Sequence, residues 1–233
     1  MSSGQKAAIP PTIPDPMAKA STRLVAAKAL VHALSLTPLA ILGWQFWAVL
    51  KTGSDALGAD PVAEVEHRLG LWALRFLILA LAVTPLRQLT GKPALLQFRR
   101  MLGLYAFAYA TLHFAAYLVL DLRGYWTQIF EEIAKRPYIT VGFAAWLLLV
   151  PLAITSTRGW MRRLGRRWGQ LHKLVYAIGV FAVLHFWWLV KSDIREPALY
   201  AGLLAVLLGW RLLRRLRRPN AAAVVRSVPA QQQ

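Results

Sequence analysis

The sequence predicts an all-α membrane protein, a polytopic bundle of six transmembrane helices with both ends of the chain on one side. Three observations predict it. Hydrophobic residues make up 57% of the 233 positions and the mean hydropathy is +0.44, so a bilayer suits this chain better than water does. The apolar residues fall into six runs, each near the length a helix needs to cross about 30 Å of hydrocarbon at about 1.5 Å per residue. The basic residues, which outnumber the acids 28 to 10, sit mostly between those runs.

The six runs cover roughly residues 30–50, 69–86, 101–120, 138–155, 168–190 and 197–213. Before the first lies the stretch 1–22, MSSGQKAAIPPTIPDPMAKAST, with four prolines and no compact apolar core of a cleavable signal. It reads as an unstructured tail, and the first span then inserts uncleaved. Pro38, Pro85 and Pro151 fall in or at the ends of spans, where a proline kinks or ends the helix and releases a carbonyl. The sixth run is the shortest and crosses only if Arg211 snorkels to the interface. After it, 219–233, PNAAAVVRSVPAQQQ, reads as a second unstructured tail. Trp44, Trp47, Trp126, Trp160, Trp187, Trp188 and Trp210 lie near span ends, as interfacial belts require. No internal repeat or long linker stands out, so residues 23–218 form one domain.

Orientation follows from the basic residues of the short connections. The two termini, the second connection (Arg87, Lys92, Arg99, Arg100) and the fourth (Arg158, Arg162, Arg163, Arg166, Arg167) hold 19 Lys and Arg. The opposite connections hold seven, with nine of the ten acids. Both termini are therefore expected in the cytosol. This topology signal accounts for nearly all of the +18 net charge. No basic stripe with interleaved aromatics is present, which argues against a nucleic-acid partner. The chain has no cysteine, which excludes disulfides, thiolate-held iron–sulfur clusters and a cysteine nucleophile. Any metal must be held by histidine or oxygen.

Histidines inside spans are the candidates for chemistry, because an intramembrane ionisable group requires a proton partner, a hydrogen bond or a metal. The third and fifth spans run in the same direction, and His113 and His185 fall at nearly the same depth on them. Two imidazoles at one height on neighbouring helices can clamp a flat macrocycle, so a bis-histidine haem b is expected between them. His172 lies on the same span as His185, but 13 residues at about 100° each leave it about 140° round an ideal helix. Either the helix is re-phased between them or His172 addresses a different neighbour and ligand. His67 reads as a solvated or capping residue, and His32 as a headgroup contact or the missing ligand of His172. Arg75, inside the second span, needs a partner in lipid, and a haem propionate or outward snorkelling would each supply one. From the residues alone, a non-redox reading also stands, in which a transporter or scaffold uses the histidines as proton relays or packing groups.

The stretches GADPVAEVEHRLG (58–70), FRRMLGLYAFAYATLHFAAYL (98–118) and RPYITVGFAAWLLLVPLAITSTRGWMRRLGRRWGQLHKLVYAIGVFAVLHFWWLVKSD (136–193) resemble the MsrQ family. These are haem-binding membrane subunits of bacterial methionine sulfoxide reductase systems, within the ferric-reductase-like membrane proteins. The resemblance spans about residues 24–215. It implies passage of electrons from quinol to a periplasmic MsrP-like reductase that repairs oxidised proteins, with the catalytic site on that partner and no catalytic residue on this chain. A cytosolic flavin reductase is a further donor it allows. It implies haem b, one or two, with iron ligands at His113, His172 and His185, and it implies FMN, for which no phosphate-cradling glycine pattern is present. Relatives carry a fourth histidine on the third span where this chain has Arg99 and Arg100. A ferric or other quinol-linked reductase on the same scaffold is the alternative.

Overall fold

The computed structural model describes residues 16–123, 125, 127, 129–190 and 193–217 of the chain. All regular elements among them are helical: α1 (Pro16–Thr52), α2 (Pro61–Thr90), α3 (Leu96–Ala116), α4 (Ile129–Lys135), α5 (Pro137–Ile154), α6 (Arg158–Leu164), α7 (Arg166–Leu171), α8 (Leu174–Leu189) and α9 (Arg195–Leu216). A 3₁₀ turn at Pro93–Leu95 leads into α3, and a π-helical turn at Tyr117–Asp121 extends it. Six segments are long and apolar enough to cross a membrane: Thr22–Thr52, Pro61–Thr90, Pro93–Asp121, Pro137–Ile154, Arg166–Leu189 and Arg195–Leu216. Each expected span is thus present, and the chain is a multi-pass membrane protein. α1 starts at Pro16, inside the expected N-terminal tail. Residues 1–15, the tail at 219–233 and Trp126 lie outside the described residues.

Local chemistry sets the helix ends. Asp60 caps α2, its Oδ1 accepting from the Ala63 amide at 3.0 Å. Pro61 takes the first turn, where its missing amide leaves no bond unmade, and Gly91 ends the helix at φ 68°, a conformation that costs glycine least. Inside α2, Pro85 has no amide to give the carbonyl of Leu81. Arg211 on α9 supplies the donor instead, its Nη2 lying 2.6 Å from that oxygen. The side chain expected to snorkel outward is therefore drawn inward, because a carbonyl freed inside a bilayer has no water to turn to.

Two hairpins, α2 with α3 and α5 with α8, pack side by side and make the core of the bundle; α9 leans on α8 and α2, and α1 on α2. Phe76, Leu77, Ala106, Tyr109, Leu149 and Ile178 are buried where the hairpins meet. The outward faces are apolar too, with Leu30, Leu34, Ile41 and Leu50 on α1 and Leu199, Leu203 and Val206 on α9 exposed, as lipid-facing surfaces are. Since lipid is as apolar as leucine, close fit and interhelical hydrogen bonds hold such a bundle. Tyr109 donates to the carbonyl of Ser35 at 2.7 Å, and Trp146 to the Thr111 hydroxyl at 3.1 Å.

Between α7 and α8 the winding tightens. The amides of Lys173 and Tyr176 bond three residues back, to Gln170 and Lys173, while that of His172 still bonds four back, to Trp168. A short 3₁₀-like turn at His172–Lys173 thus interrupts the span that carries His172 and His185.

Candidate functional site

α2, α3, α5 and α8 enclose an apolar cavity floored by Leu77, Ala106, Leu149 and Ile178, with a polar mouth of Glu66, Tyr117, Asp121, Arg136 and Tyr138. The mouth opens at the end of the bundle that carries the acidic connections. The π-helical turn belongs to it, since Tyr117 and Asp121 both line the cavity.

His113 and His185 project into this space from opposite hairpins, their ring centres 6.0 Å apart and their planes at 72°. His113 Nδ1 lies 2.8 Å from the carbonyl oxygen of Glu66, and His185 Nδ1 lies 2.7 Å from that of Tyr138. A carbonyl only accepts, so each Nδ1 carries the hydrogen and donates it. Each Nε2 is left with its lone pair, the form in which histidine binds a metal.

Behind each ring stands a glycine. A Cβ at Gly70 would lie 3.2 Å from His113 Nδ1 and Cε1, and one at Gly142 only 2.6 Å from His185 Nδ1. Both rings therefore lie directly against the backbone of the facing helix. The two halves match position for position: a step of 72 residues carries Glu66 to Tyr138, Gly70 to Gly142 and His113 to His185. The correspondence is one of backbone roles, a carbonyl that orients the ring and a glycine four residues later that admits it. Glu66 and Tyr138 are unlike as side chains, so sequence similarity does not reveal it.

This donor set fits haem iron. Two metal–imidazole bonds of about 2 Å each, with the distance from each nitrogen to its ring centre, add up to about 6 Å. That is the separation of the rings. Among the described residues no group of three or more His, Cys, Asp or Glu is placed to hold a metal ion alone. Two facing nitrogens suit an iron that brings its own four equatorial donors. The slot around them is apolar, and its mouth offers Arg136, anchored by Glu132 at 2.8 Å and Tyr138 at 3.2 Å, and the buried Tyr117 hydroxyl, which has no hydrogen-bond partner.

The other candidates lie elsewhere. Arg75 does not line the cavity: its Nε donates to the Tyr200 hydroxyl at 2.9 Å and its guanidinium stacks 4.9 Å from the Trp72 ring, so its partners in lipid are on α9 and α2. His172 also stands apart, stacked 3.9 Å on Trp168, with Nδ1 donating to that residue's carbonyl at 3.1 Å and a buried Nε2 that has no partner. It thus presents the same tautomer as the paired histidines, toward a different part of the bundle. His67 pairs with Glu196 at 3.7 Å near the cavity mouth, and His32 Nδ1 meets the Tyr105 hydroxyl at 2.7 Å between α1 and α3. Gly70, Gly142, Tyr117 and Arg136 escaped the sequence reading. The shared spacing of 47 residues from orienting carbonyl to histidine is the signal that would have found the glycines.

A four-helix slot with opposed imidazoles suits a ferric-reductase-like membrane protein, and the model of the ferric reductase like transmembrane component family matches residues 69–183. Among curated proteins, the protein-methionine-sulfoxide reductase heme-binding subunit MsrQ of Xanthomonas oryzae pv. oryzae (strain MAFF 311018) is 73% identical over 217 residues, covering 92% of this chain and 98% of its own. The protein of the same name from Xanthomonas axonopodis pv. citri (strain 306) is 74% identical over 207 residues, covering 89% and 95%. The one from Bordetella pertussis (strain Tohama I) is 47% identical over 197 residues, covering 84% and 93%. The chain belongs to the MsrQ family. No solved structure matches it.

Proposed function

We propose that this protein is a membrane cytochrome b subunit that carries electrons from the quinone pool across the inner membrane to a periplasmic methionine sulfoxide reductase. The observation that carries the reading is the pair His113 and His185, each fixed by a carbonyl on its Nδ1 and facing the other 6.0 Å away. Haem b bound there would supply reversible one-electron chemistry. The carbonyls of Glu66 and Tyr138 hold the imidazoles in one tautomer and orientation, Gly70 and Gly142 let the rings sit back, and the apolar walls exclude water. Arg136 and the Tyr117 hydroxyl are the groups at the mouth suited to carboxylates.

The excess of Lys and Arg at the end bearing the termini supports a cytosolic position for that end, which turns the cavity mouth to the periplasm and toward an MsrP-like partner. His172, with a buried and unpartnered Nε2 at the cytosolic end, is suited to ligate at an electron-receiving site there, fed by quinol or by a cytosolic flavin reductase. FMN enters the proposal by family resemblance alone. Absorption spectra with haem and flavin quantitation test the reading. The purified protein is expected to show low-spin haem b reducible by dithionite and by quinol, and His113→Ala or His185→Ala to abolish that spectrum. Unchanged absorbance in either variant overturns it.

A further inference from the structure

The end of the bundle opposite the cavity mouth is cationic, and among the described residues it has no acid to pair with. All nine described acidic residues, from Asp55 to Glu196, lie in or beside the connections at the mouth end. Most arginines at the other end are simply solvated: Arg162, Arg163, Arg166 and Arg167 are exposed, as a topology signal requires. Arg211 and Arg87 differ. Arg211 is pinned between Leu81 O, at 2.6 Å from its Nη2, and the Tyr176 ring, 4.9 Å from its guanidinium, while its Nη1 is buried with no partner. Arg87 has its Nε buried with no partner, and so does the hydroxyl of Thr84, which shares a face of α2 with Arg87 one turn away and lies one turn beyond Leu81. Arg99, opening α3, lies within electrostatic reach of Arg211.

Three buried donors and three cations thus lie toward the inner ends of α2, α3 and α9, with α2 packed on the other two. Water would satisfy the hydrogen bonds but not the charge, and an unpaired guanidinium in a low-dielectric setting is costly. An oxyanion does both. A planar carboxylate offers two oxygens on one edge, whereas a tetrahedral phosphate offers them in several directions, which suits donors arriving from separate helices. We propose that this end of the bundle is a phosphate-binding site formed by Arg87, Arg211, Arg99 and Thr84, taking the phosphate of a lipid headgroup or of a soluble phosphate ester. The site is separate from the histidine pair and does not depend on the haem reading.

The test uses the full chain in nanodiscs, with thermal unfolding followed by tryptophan fluorescence. One arm adds inorganic phosphate to discs of a phosphate-free galactolipid against sodium chloride of equal ionic strength; the other replaces part of the galactolipid with phosphatidylglycerol. Protection in the first arm identifies a soluble phosphate, and protection confined to the second identifies a lipid headgroup. Either is expected to saturate, and to weaken about tenfold or more in apparent affinity in Arg87→Gln and Arg211→Gln. Thr84→Val, which keeps shape and charge, is expected to weaken it less, and Arg163→Gln, at an exposed arginine of the same end, to leave it unchanged. Helix content by circular dichroism shows that each variant folds. No protection in either arm, or equal protection of wild type, Arg87→Gln and Arg211→Gln, overturns the proposal.

Discussion

Alanine at Gly142 is the most discriminating perturbation of the histidine pair. Its Cβ would stand 2.6 Å from His185 Nδ1, 2.9 Å from Cε1 and 3.0 Å from Cγ, where ordinary contact begins at 3.4 Å. The ring must therefore retreat from α5 by up to 0.8 Å. Its hydrogen bond to Tyr138 O, on the same helix, starts at 2.7 Å and stretches toward about 3.5 Å, past the working range of about 2.7–3.2 Å. With iron fixed on the other nitrogen the imidazole cannot keep both bonds, and loss of such an orienting partner weakens metal binding about 10- to 100-fold. Gly70→Ala is the internal control, because its Cβ stands 3.2 Å from His113 and asks the ring to give only 0.2 Å. Alanine is itself about 1 kcal/mol better than glycine inside a helix, so general unfolding is not expected at either position. Haem titration of apoprotein in detergent, followed by the low-spin absorption band, reads the effect. Gly142→Ala should lose affinity by at least about tenfold while Gly70→Ala stays within a fewfold of wild type. Equal losses at the two glycines, or wild-type binding by Gly142→Ala, would refute the orienting role given to the Tyr138 carbonyl.

Two further outcomes follow from the other candidates. Arg75→Gln should leave the haem spectrum unchanged and lower thermal stability by about 1–3 kcal/mol, measured by unfolding in detergent, because its partners are Tyr200 and Trp72 and not the cavity. His172→Ala should preserve the band that arises from His113 and His185 and remove any haem in excess of one per chain, as counted by haem-to-protein ratio; loss of the main band would contradict the separation of the two sites.

The six spans were legible because a bilayer imposes length and apolarity on each helix separately, and the matching depths of His113 and His185 followed from rise per residue alone. Partners across helices were not. Arg75 reads toward a propionate or the outer interface because its neighbour on α9 is 125 residues away, and nothing in a one-dimensional pattern singles out Tyr200 as its acceptor. Arg211 was read as snorkelling because its acceptor exists only through Pro85, whose missing amide was visible but whose orphaned carbonyl faces α9 only in three dimensions. The orienting carbonyls of Glu66 and Tyr138 are backbone atoms, which sequence never names. Gly70 and Gly142 looked like ordinary helix glycines until the rings behind them were placed.

The 72-residue step also bears on His172. Applied backward it lands on Arg100, so the two hairpins hold four equivalent positions, His113 with His185 and Arg100 with His172. The first pair is symmetric down to its carbonyls and glycines. The second is not: Arg100 is exposed, and Arg99, half-buried beside it, is the residue whose charge reaches His172. A cation in that place cannot offer a lone pair, since a guanidinium has donors only. The 72-residue correspondence therefore does not itself give His172 an imidazole partner. The arginine charge favours a ligand with negative groups at that end, whereas the lone pair on the unpartnered Nε2 of His172 calls for a hydrogen-bond donor or a metal.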